Sequence, residues 1–580
     1  MEISSERIDD IPLIVEWLKQ MEIAKCIDQK LKEPHGNHKG LSYGKLSVLL
    51  LTYIITQSDH RLSAVEPWVE AHRKILELST GWSIGEKDAS DDRLARVVEE
   101  LGKQSEARQE IEVKLGRHLI RAYELLTVVA RADTSSFSVN HQQGQSPEES
   151  LLRYGYSKDF RPDLLQYRQL LATLDPMGMP LVCATLEGNG ADDPLYFPTW
   201  QKMAKVIGHK KFVFIADCKA SAIATRAQIA ANGGVYCFPV SMSGQHPQYL
   251  KQWVLNPPLQ TWSIRLPRQD EEEPAVGKGF EVELGKFWLN EETNKWVRWH
   301  ERYLVVYSQS LAASAIRGQQ QRILTARTAL DKLAAKPGED RGELTQKVEN
   351  IKKRYRVNDF FSTTIIEETL VTTRNCRRGR PSKNSPTESV TSICLQLHIQ
   401  QIDDAIQLSE TLAGWRLYVT NAPITRLTLP QAVIYYRDEW LLERGFHRFK
   451  RGSLPALPIY FQNQDRITGL MFILNIALRV FTLMEFVVRL ALEQTQQSLA
   501  GLYDGNPKRK TNRPSAERML QAFCHLTLYS LSNSTIFITP RTDLQKQILS
   551  LMKMPESLYQ LPFGVLQDII TSDPAQVSTL

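Results

Sequence analysis

Apolar positions in the first part of the chain recur with the spacing of amphipathic helices. IPLIVEWLKQM and KLSVLLLTYIITQ both show this spacing, and DDRLARVVEELGKQ opens with acids that suit a helix N-terminus. We find no alternating strand pattern in this stretch. The pattern therefore predicts a helical region over residues 1–120.

From Leu125 the chain changes to β-branched, almost continuous apolar runs. One run precedes Asp133 and another, KFVFIA, precedes Asp217. Between them YRQLLATLD and PLVCATLEG are joined by the turn signal DPMGMP, and helical segments precede and follow KFVFIA. This order predicts an α/β domain over residues 121–244, with its central sheet buried on both faces.

The pattern changes again at about residue 245. Aromatic, β-rich pieces are followed by a charged helical stretch over 311–356 and by the basic linker RNCRRGRPSKNSPTES, which predicts a β-rich insertion over 245–413. WRLYVTN and one long helix, LPQAVIYYRDEWLLERGFHRFK, then return the chain to the α/β core over 414–495. Residues 496–580 are predicted as a helical C-terminal region.

The longest apolar region, Leu470 to Leu492, is interrupted by Asn475, Arg479, Glu485 and Arg489. A membrane span would place those polar groups in hydrocarbon, so we predict a buried helix and no membrane partner. The N-terminus is acidic where a signal peptide is basic and then apolar, which favours a cytoplasmic protein.

Composition excludes few classes of protein. A chain of 580 residues exceeds what one core serves, so roughly two to four domains are expected. The net charge of +6 is mildly basic for this length. The seven cysteines are scattered singly without C-x-x-C spacing, which argues against a disulfide framework and a zinc site.

Three carboxylates are the candidates for chemistry. Asp133 and Asp217 each follow an apolar strand run, at the sheet edge where open α/β folds gather functional groups. Glu443 recurs with Tyr436 and Lys450 every seven residues, which places the three on one face of the predicted helix. Carboxylates suit Mg²⁺ or Mn²⁺, and two such ions support cleavage of a phosphodiester. An isolated strand-end aspartate is, however, more often a turn or cap residue.

Several motifs resemble one known family. Tyr436, Trp440, Glu443, Phe446 and Lys450 are similar to the Y-x(2)-R-x(3)-E-x(6)-K signature of DDE transposases of bacterial insertion sequences, in the insertion-sequence-four-like superfamily. ADTSSF and IADCKAS resemble the family's first-Asp and second-Asp motifs, and GYSKDFRPDLLQ (Gly155 to Gln166) resembles its G-Y-S-K-D-x-R-P-D-L stretch. DDIPLIVEWLKQMEIAKCID and RPSAERMLQAF extend the resemblance over most of the chain.

The resemblance implies an RNase H-like catalytic core interrupted by a β-rich insertion and flanked by helical N- and C-terminal regions, of which the N-terminal region, residues 1–120, would bind DNA. Asp133, Asp217 and Glu443 would be the catalytic residues and the ligands of two Mg²⁺ or Mn²⁺ ions. Tyr436 and Lys450 would bind phosphates of the transposon end. The partners would be terminal inverted repeats and target DNA, with the protein acting as a homodimer in a paired-end complex.

One signature position departs from the family pattern. Glu439 stands where the signature has arginine, so a phosphate contact becomes a negative charge one turn from Glu443. Arg437 and Arg448 are the candidates to supply the missing positive charge. A copy that binds inverted repeats without cutting them is the alternative that this departure supports. A nuclease or resolvase on the same fold, which never joins strands, is a second alternative.

Two basic segments outside the signature are DNA-binding candidates. RRGRPSK contains an R-G-R-P core like that of an AT-hook, in which Arg378 and Arg380 would enter an A·T minor groove. A solvated basic linker is an equal alternative. Lys508, Arg509 and Lys510 form a candidate phosphate-binding loop.

Two features of the predicted insertion have competing interpretations. Trp288, Trp296 and Trp299 could stack on a flipped base, but buried sheet tryptophans are the commoner case. GFEVELGK, from Gly279, resembles a phosphate loop only superficially, because five residues separate its glycines and Phe287 follows the lysine. We therefore expect no nucleotide cofactor.

Overall fold

The computed structural model describes residues 3–31, 40–142, 150–267, 269, 272–338, 340–375, 387–531 and 534–560. Within this range the chain divides into two compact units. Unit 1 comprises residues 1–238, 285–300 and 434–580, and unit 2 comprises 239–284 and 301–433.

The strands and helices carry labels in chain order. The strands are β1 Ile3–Arg7, β2 Val129–Val139, β3 Leu165–Leu174, β4 Met179–Glu187, β5 Val213–Ile215, β6 Val235–Pro239, β7 Trp262–Ile264, β8 Gly277–Asn290, β9 Lys295–Ser308, β10 Phe361–Asn375, β11 Thr387–Gln401, β12 Trp415–Thr420, β13 Thr527–Leu531 and β14 Ser534–Ile538. The helices are α1 Ile11–Gln20, α2 Ile23–Asp28, α3 Tyr43–Gln57, α4 Val65–Ala71, α5 Arg73–Thr80, α6 Asp91–Lys103, α7 Ser105–Ala122, α8 Tyr196–Ile207, α9 Ile223–Ala231, α10 His246–Leu255, α11 Gln309–Ala334, α12 Arg341–Tyr355, α13 Asp403–Leu412, α14 Leu429–Arg437, α15 Trp440–Lys450, α16 Gln464–Gln494, α17 Ala516–Gln521 and α18 Asp543–Leu551.

A mixed sheet with the order β4-β3-β2-β5-β6 forms the centre of unit 1. β2, β3 and β4 pair antiparallel, whereas β5 pairs parallel with both β2 and β6. Every residue of β3 is buried, including the polar Gln166, Arg168 and Gln169, which agrees with the prediction of a central sheet buried on both faces. The predicted α/β arrangement over 121–244 is therefore present in the structure.

The apolar region before residue 494 forms the long helix α16. An 18-residue window of this helix has a mean hydropathy of 1.9 and is long and apolar enough to cross a membrane, yet 89% of that window is buried inside the protein. α16 packs on α3, α6 and β4. Gly469 permits the close approach to α6, because a Cβ there would lie 1.8 Å from the carbonyl oxygen of Val98. The prediction of a buried core helix is confirmed.

The two ends of the described chain are not wholly helical, and this corrects the prediction. β1 pairs antiparallel with β13, which in turn pairs with β14, so the N-terminal and C-terminal regions share a three-stranded sheet. Each of these strands has five residues. Segments this short carry too little alternation to be recognised, and β1 lies more than 500 residues before its partner β13.

The signature segment is also not one continuous helix. α14 ends at Arg437 and α15 begins at Trp440. The carbonyl of Tyr435 accepts a hydrogen bond of 2.7 Å from Nη2 of Arg131, while the N–H of Glu439 turns to the carbonyl of Tyr436, 3.2 Å away. Because this replaces the helical bond from residue 439 to residue 435, the predicted straight stripe of Tyr436, Glu443 and Lys450 is broken.

Unit 2 contains a sheet with the order β12-β9-β8-β7 and a separate β10-β11 hairpin. α11 and α12 pack on this hairpin, and together they enclose an apolar core that includes Ala326, Leu330, Leu344 and Phe361. The predicted charged helical stretch is present as α11 and α12. The predicted five-part domain division stays a prediction.

Candidate active site

Asp133 lies in β2, and Asp217 follows the end of the neighbouring parallel strand β5. β2 and β5 pair Arg131 with Ile215, and each aspartate lies two residues further along its chain. Adjacent strands are about 4.8 Å apart, so the two carboxylates are neighbours. Asp133 is not at a strand end as predicted, because β2 continues to Val139 through its pairing with β3.

The carboxylate of Asp133 is held by its own strand and by a neighbouring loop. Oδ1 accepts hydrogen bonds from the N–H of Thr134, at 2.7 Å, and from Nζ of Lys158, at 3.3 Å. Burial raises the pKa of Asp133 above its ordinary value. The charge of Asp217 adds to the rise, while Lys158 and the Thr134 N–H oppose it. The net effect is that the Asp133 carboxyl accepts a proton more readily than a free aspartate does.

Asp217 precedes a short 3-10 helix and is fixed by two donors. Its Oδ1 accepts from the hydroxyl of Tyr196, at 2.6 Å, and from the N–H of Lys219, at 3.0 Å. Tyr196 is fully buried on α8. Burial raises the pKa of its hydroxyl, and the nearby charge of Asp217 raises it further, so the tyrosine stays a donor.

A third aspartate, Asp192, binds the groups around the first two. Its Oδ2 pairs with Nζ of Lys219 at 2.6 Å, and its Oδ1 accepts from Oγ1 of Thr134 at 3.0 Å and from Arg168. Burial alone would raise the pKa of Asp192, but Lys219 and Arg168 bring it below its ordinary value. The sequence interpretation assigned no role to Asp192, Tyr196 or Lys219: Lys219 lies within IADCKAS, but no local pattern distinguishes Asp192 and Tyr196 from other loop and helix residues.

Glu439 is the acid that the structure brings to the two aspartates. Burial raises its pKa above the ordinary value, and the charges of Asp133, Glu443 and Asp217 add to the rise against the opposing charge of Arg131. The residue lies in the break between α14 and α15, and α15 packs on β2. Glu439 therefore stands within the electrostatic reach of both aspartates.

The three predicted metal ligands do not form a closed coordination sphere. Glu443 is exposed in the first turn of α15. Among the residues that the structure describes, no group of three or more His, Cys, Asp and Glu side chains is placed to hold a metal ion. The assignment of Asp133, Asp217 and Glu443 as a metal triad stays a prediction.

Arg448 has a structural environment that the sequence did not predict. Its side chain is buried, and its guanidinium binds Glu485 on α16 and, at 2.8 Å, Glu517 on α17. Arg444 also pairs with Glu485, at 2.7 Å. A guanidinium enclosed by two carboxylates is poorly placed for a DNA phosphate. Arg448 thus anchors α15 to α16 and α17. This position does not suit the role of replacing the positive charge that the signature arginine would have supplied.

The other signature cations are closer to the surface. Lys450 Nζ lies 2.8 Å from Oδ1 of Asp159 and 5.2 Å from the ring centre of Phe137. Arg437 is exposed, and Tyr436 is half-buried. These three positions remain accessible for the predicted phosphate contacts, which stay a prediction.

Of the other basic residues predicted to bind DNA, the structure describes one group and not the other. Lys508, Arg509 and Lys510 are exposed, with Arg509 lying 4.2 Å above the ring of Tyr503. Arg378 and Arg380 lie outside the described residues. Asn375 and Thr387, the described residues on either side of them, pair at the ends of β10 and β11.

The tip of the β8-β9 hairpin, residues 285–300 of unit 1, carries the tryptophans noted in the sequence. Trp296 is 59% exposed beside Phe287, with ring centres 5.8 Å apart, whereas Trp299 donates to the hydroxyl of Tyr236 at 2.9 Å. These side chains line a cavity of about 560 Å³ with Arg298. Burial in a sheet is therefore the wrong interpretation for Trp296.

Comparison with known proteins adds little to this geometry. The sequence matches no protein-family model and is similar to no curated protein. Among solved structures, a cryo-EM structure of a piggyBac transposase synaptic complex with hairpin DNA is matched over 100% of this chain and 89% of that chain. The sequence identity is 9% and the TM-score is 0.35, values too low to support an argument.

Proposed function

We propose that this chain is a DNA transposase that cleaves at terminal inverted repeats and joins the 3′-OH ends to target DNA. The single observation that carries the proposal is that Asp133 and Asp217 each lie two residues beyond the paired residues Arg131 and Ile215 of the parallel strands β2 and β5, with α15 packed on β2. The five-stranded mixed sheet of unit 1 would be the RNase H-like core that the sequence resemblance implies.

The two aspartates fit a hard divalent cation. Every hydrogen bond found to either carboxylate within the described residues goes to Oδ1, so Oδ2 of each is the oxygen proposed for a metal. Asp133, Asp217 and Glu443 would hold Mg²⁺ or Mn²⁺. When bound, two such ions would activate an attacking oxygen and stabilise the leaving oxygen of the phosphodiester.

The protein's own groups would orient the acids and the DNA. Tyr196 and the Lys219 N–H fix one oxygen of Asp217, which limits the directions in which the other oxygen can bind. Asp192 holds Lys219 in place by an ion pair of 2.6 Å. Lys450 and Arg437 would bind backbone phosphates and position the scissile bond, since charge contacts to phosphate set orientation without reading sequence.

The test uses the purified full chain and DNA of the short inverted repeats that flank its open reading frame. With Mg²⁺ or Mn²⁺ we expect a cut that leaves a 3′-OH at the repeat boundary, followed by products joined to a target plasmid. Asp217→Ala and Glu443→Ala should abolish both, whereas Glu291→Ala, at an exposed turn of the β8-β9 hairpin, should not. Cleavage that is unchanged in Glu443→Ala would overturn the proposed triad.

A second candidate function is a protein that binds inverted repeats without cutting them. Two observations favour it: no three-ligand group occurs among the described residues, and Glu439 adds negative charge beside the aspartates. Specific binding of end DNA with no cut would support this candidate. Glu439→Arg would then be the variant expected to restore cleavage. Cutting of branched DNA without joined products would instead indicate a nuclease.

A further inference from the structure

The loop of residues 154–161, here called the aromatic loop, exposes rings beside the acid pair. Tyr156 is 86% exposed and Phe160 is 88% exposed, and Tyr154 is half-exposed. Large aromatic side chains are usually buried, so three exposed rings within seven residues are unusual on a folded surface.

The backbone of this loop is held in place although its rings are not. Gln166 is fully buried, and its Nε2 donates to the carbonyl of Tyr156 at 3.1 Å and to that of Gly188 at 2.7 Å. Ser157 is also buried and accepts from the N–H of Phe160 at 3.2 Å through its carbonyl. The rings of Tyr156 and Phe160 therefore project from a fixed base.

The loop is continuous with the candidate active site. Lys158 lies between the two exposed rings in the chain, and its ammonium is 3.3 Å from Asp133. Asp159, the next residue, is bound by Lys450 of α15 at 2.8 Å. Each ring is thus two residues from a group that contacts the acid, a span of at most about 7 Å along the backbone.

We infer that the aromatic loop stacks Tyr156 and Phe160 on unpaired bases of the DNA strand that reaches the acid pair. This inference rests on the proposed function and names the contact that would hold the strand. Unpaired bases expose the π-faces that an aromatic ring needs, whereas bases inside a duplex are covered by their neighbours. Lys158, Lys450 and Arg161, each paired with a carboxylate in the free protein, would contact the phosphates on either side.

The test measures the binding of a fluorescein-labelled single-stranded thymidine oligonucleotide to the full chain by fluorescence anisotropy in EDTA. The double variant Tyr156→Ala, Phe160→Ala should raise the Kd about tenfold or more, since each stacked base adds substantially to affinity. The ring-preserving double variant Tyr156→Phe, Phe160→Tyr should keep the wild-type affinity. Tyr460→Ala removes a different exposed ring, 56% accessible, and should have no effect.

A second readout separates stacking from charge. An oligonucleotide that carries 2-aminopurine should lose fluorescence on binding to the wild-type protein and much less on binding to the double alanine variant. The absence of wild-type binding, or equal affinity of the double alanine variant, would overturn the inference. The binding assay needs no metal, so it is independent of cleavage. If the double alanine variant binds the oligonucleotide more weakly but the wild-type protein never cuts end DNA, the inference stands and the proposed function is rejected.

Discussion

Nζ of Lys158 lies 3.3 Å from Oδ1 of Asp133, so the first acid of the pair already has a positively charged neighbour. Both side chains are partly accessible, at 36% and 24% of their surface. A divalent cation bound by Asp133 would meet the charge of Lys158 at close range, and the two cations would repel each other.

We expect Lys158→Met to strengthen the binding of Mn²⁺. At this partly solvated position the removal of one like charge should lower the Kd about threefold to tenfold. Isothermal titration calorimetry of the metal-free protein would measure it. Lys546→Met is a matched control, because Lys546 forms an exposed pair with Asp543 at 3.2 Å on α18. Unchanged or weaker binding in Lys158→Met would place the metal away from Asp133.

Tyr196→Phe should weaken metal-dependent cleavage without removing a ligand. The lost hydroxyl donates to Asp217 at 2.6 Å, and loss of such an orienting partner typically costs about tenfold to a hundredfold in metal affinity or activity. The cleavage rate should recover at high Mn²⁺ concentration. Tyr236→Phe removes another buried hydroxyl, which accepts from Trp299, and should leave the metal dependence unchanged. A rate that excess metal does not restore would contradict this role.

Sequence patterns located the strands but not the relationships between them. The apolar runs before Asp133 and Asp217 correctly marked two strands, because burial of a central sheet demands such runs. Their shared register depends on the pairing of Arg131 with Ile215, which lie 84 residues apart. No local pattern encodes such a pairing, so the sequence marks both acids as candidates but leaves their adjacency open.

The signature segment, which forms α14 and α15, shows why local periodicity does not by itself predict a continuous helix. A heptad of Tyr436, Glu443 and Lys450 favours one helical face, but Arg131 of β2 takes the carbonyl of Tyr435 and ends α14. Similarly, the sequence makes Arg448 a candidate for a phosphate contact, but in the structure Glu485 and Glu517 bind its guanidinium. In both cases a distant residue decides the outcome, and a single sequence does not reveal it.

Asp175→Ala should strongly destabilise unit 1. Arg131 and Asp175 form a buried pair, with Nε of the arginine 3.0 Å from Oδ2, and removal of one partner leaves a buried charge. We expect a loss of about 3–5 kcal/mol in the free energy of unfolding, measured by urea denaturation. The double change Arg131→Met, Asp175→Leu should recover most of it. Asp163→Ala breaks the exposed pair with Arg161 and should change stability little.

Glu439→Gln and Glu517→Gln should change stability in opposite directions at pH 7. The folded state raises the pKa of Glu439 from its ordinary value of 4.5, so its ionisation costs stability above that pH and glutamine removes the cost. Burial would raise the pKa of Glu517 too, but Arg448 and Ser453 bring it to about 2. Ionisation of Glu517 therefore contributes stability above pH 4.5, which is lost as the pH falls towards 2.

Urea midpoints measured from pH 7 down to pH 2 would test this pair of signs. The urea midpoint of Glu439→Gln should be higher than that of the wild type at neutral pH, and the difference should vanish below about pH 4.5. The urea midpoint of Glu517→Gln should be lower than that of the wild type at neutral pH, and this difference should shrink between pH 4.5 and 2. Two variants that shift the midpoint in the same direction at pH 7 would show that these carboxyls have other environments.

Phe160 combines an exposed ring with a left-handed backbone, at φ 57°. We therefore expect glycine to be more stabilising than alanine at this position, the reverse of the usual order. A side chain costs about 1–2 kcal/mol in this conformation, which outweighs the extra flexibility that glycine brings to the unfolded chain. Phe160→Gly should therefore unfold with a free energy about 1 kcal/mol greater than Phe160→Ala. Phe287, an exposed residue in β8, provides the opposite case, since alanine should be favoured over glycine there. The same preference at both positions would mean that the aromatic loop does not hold Phe160 in this conformation.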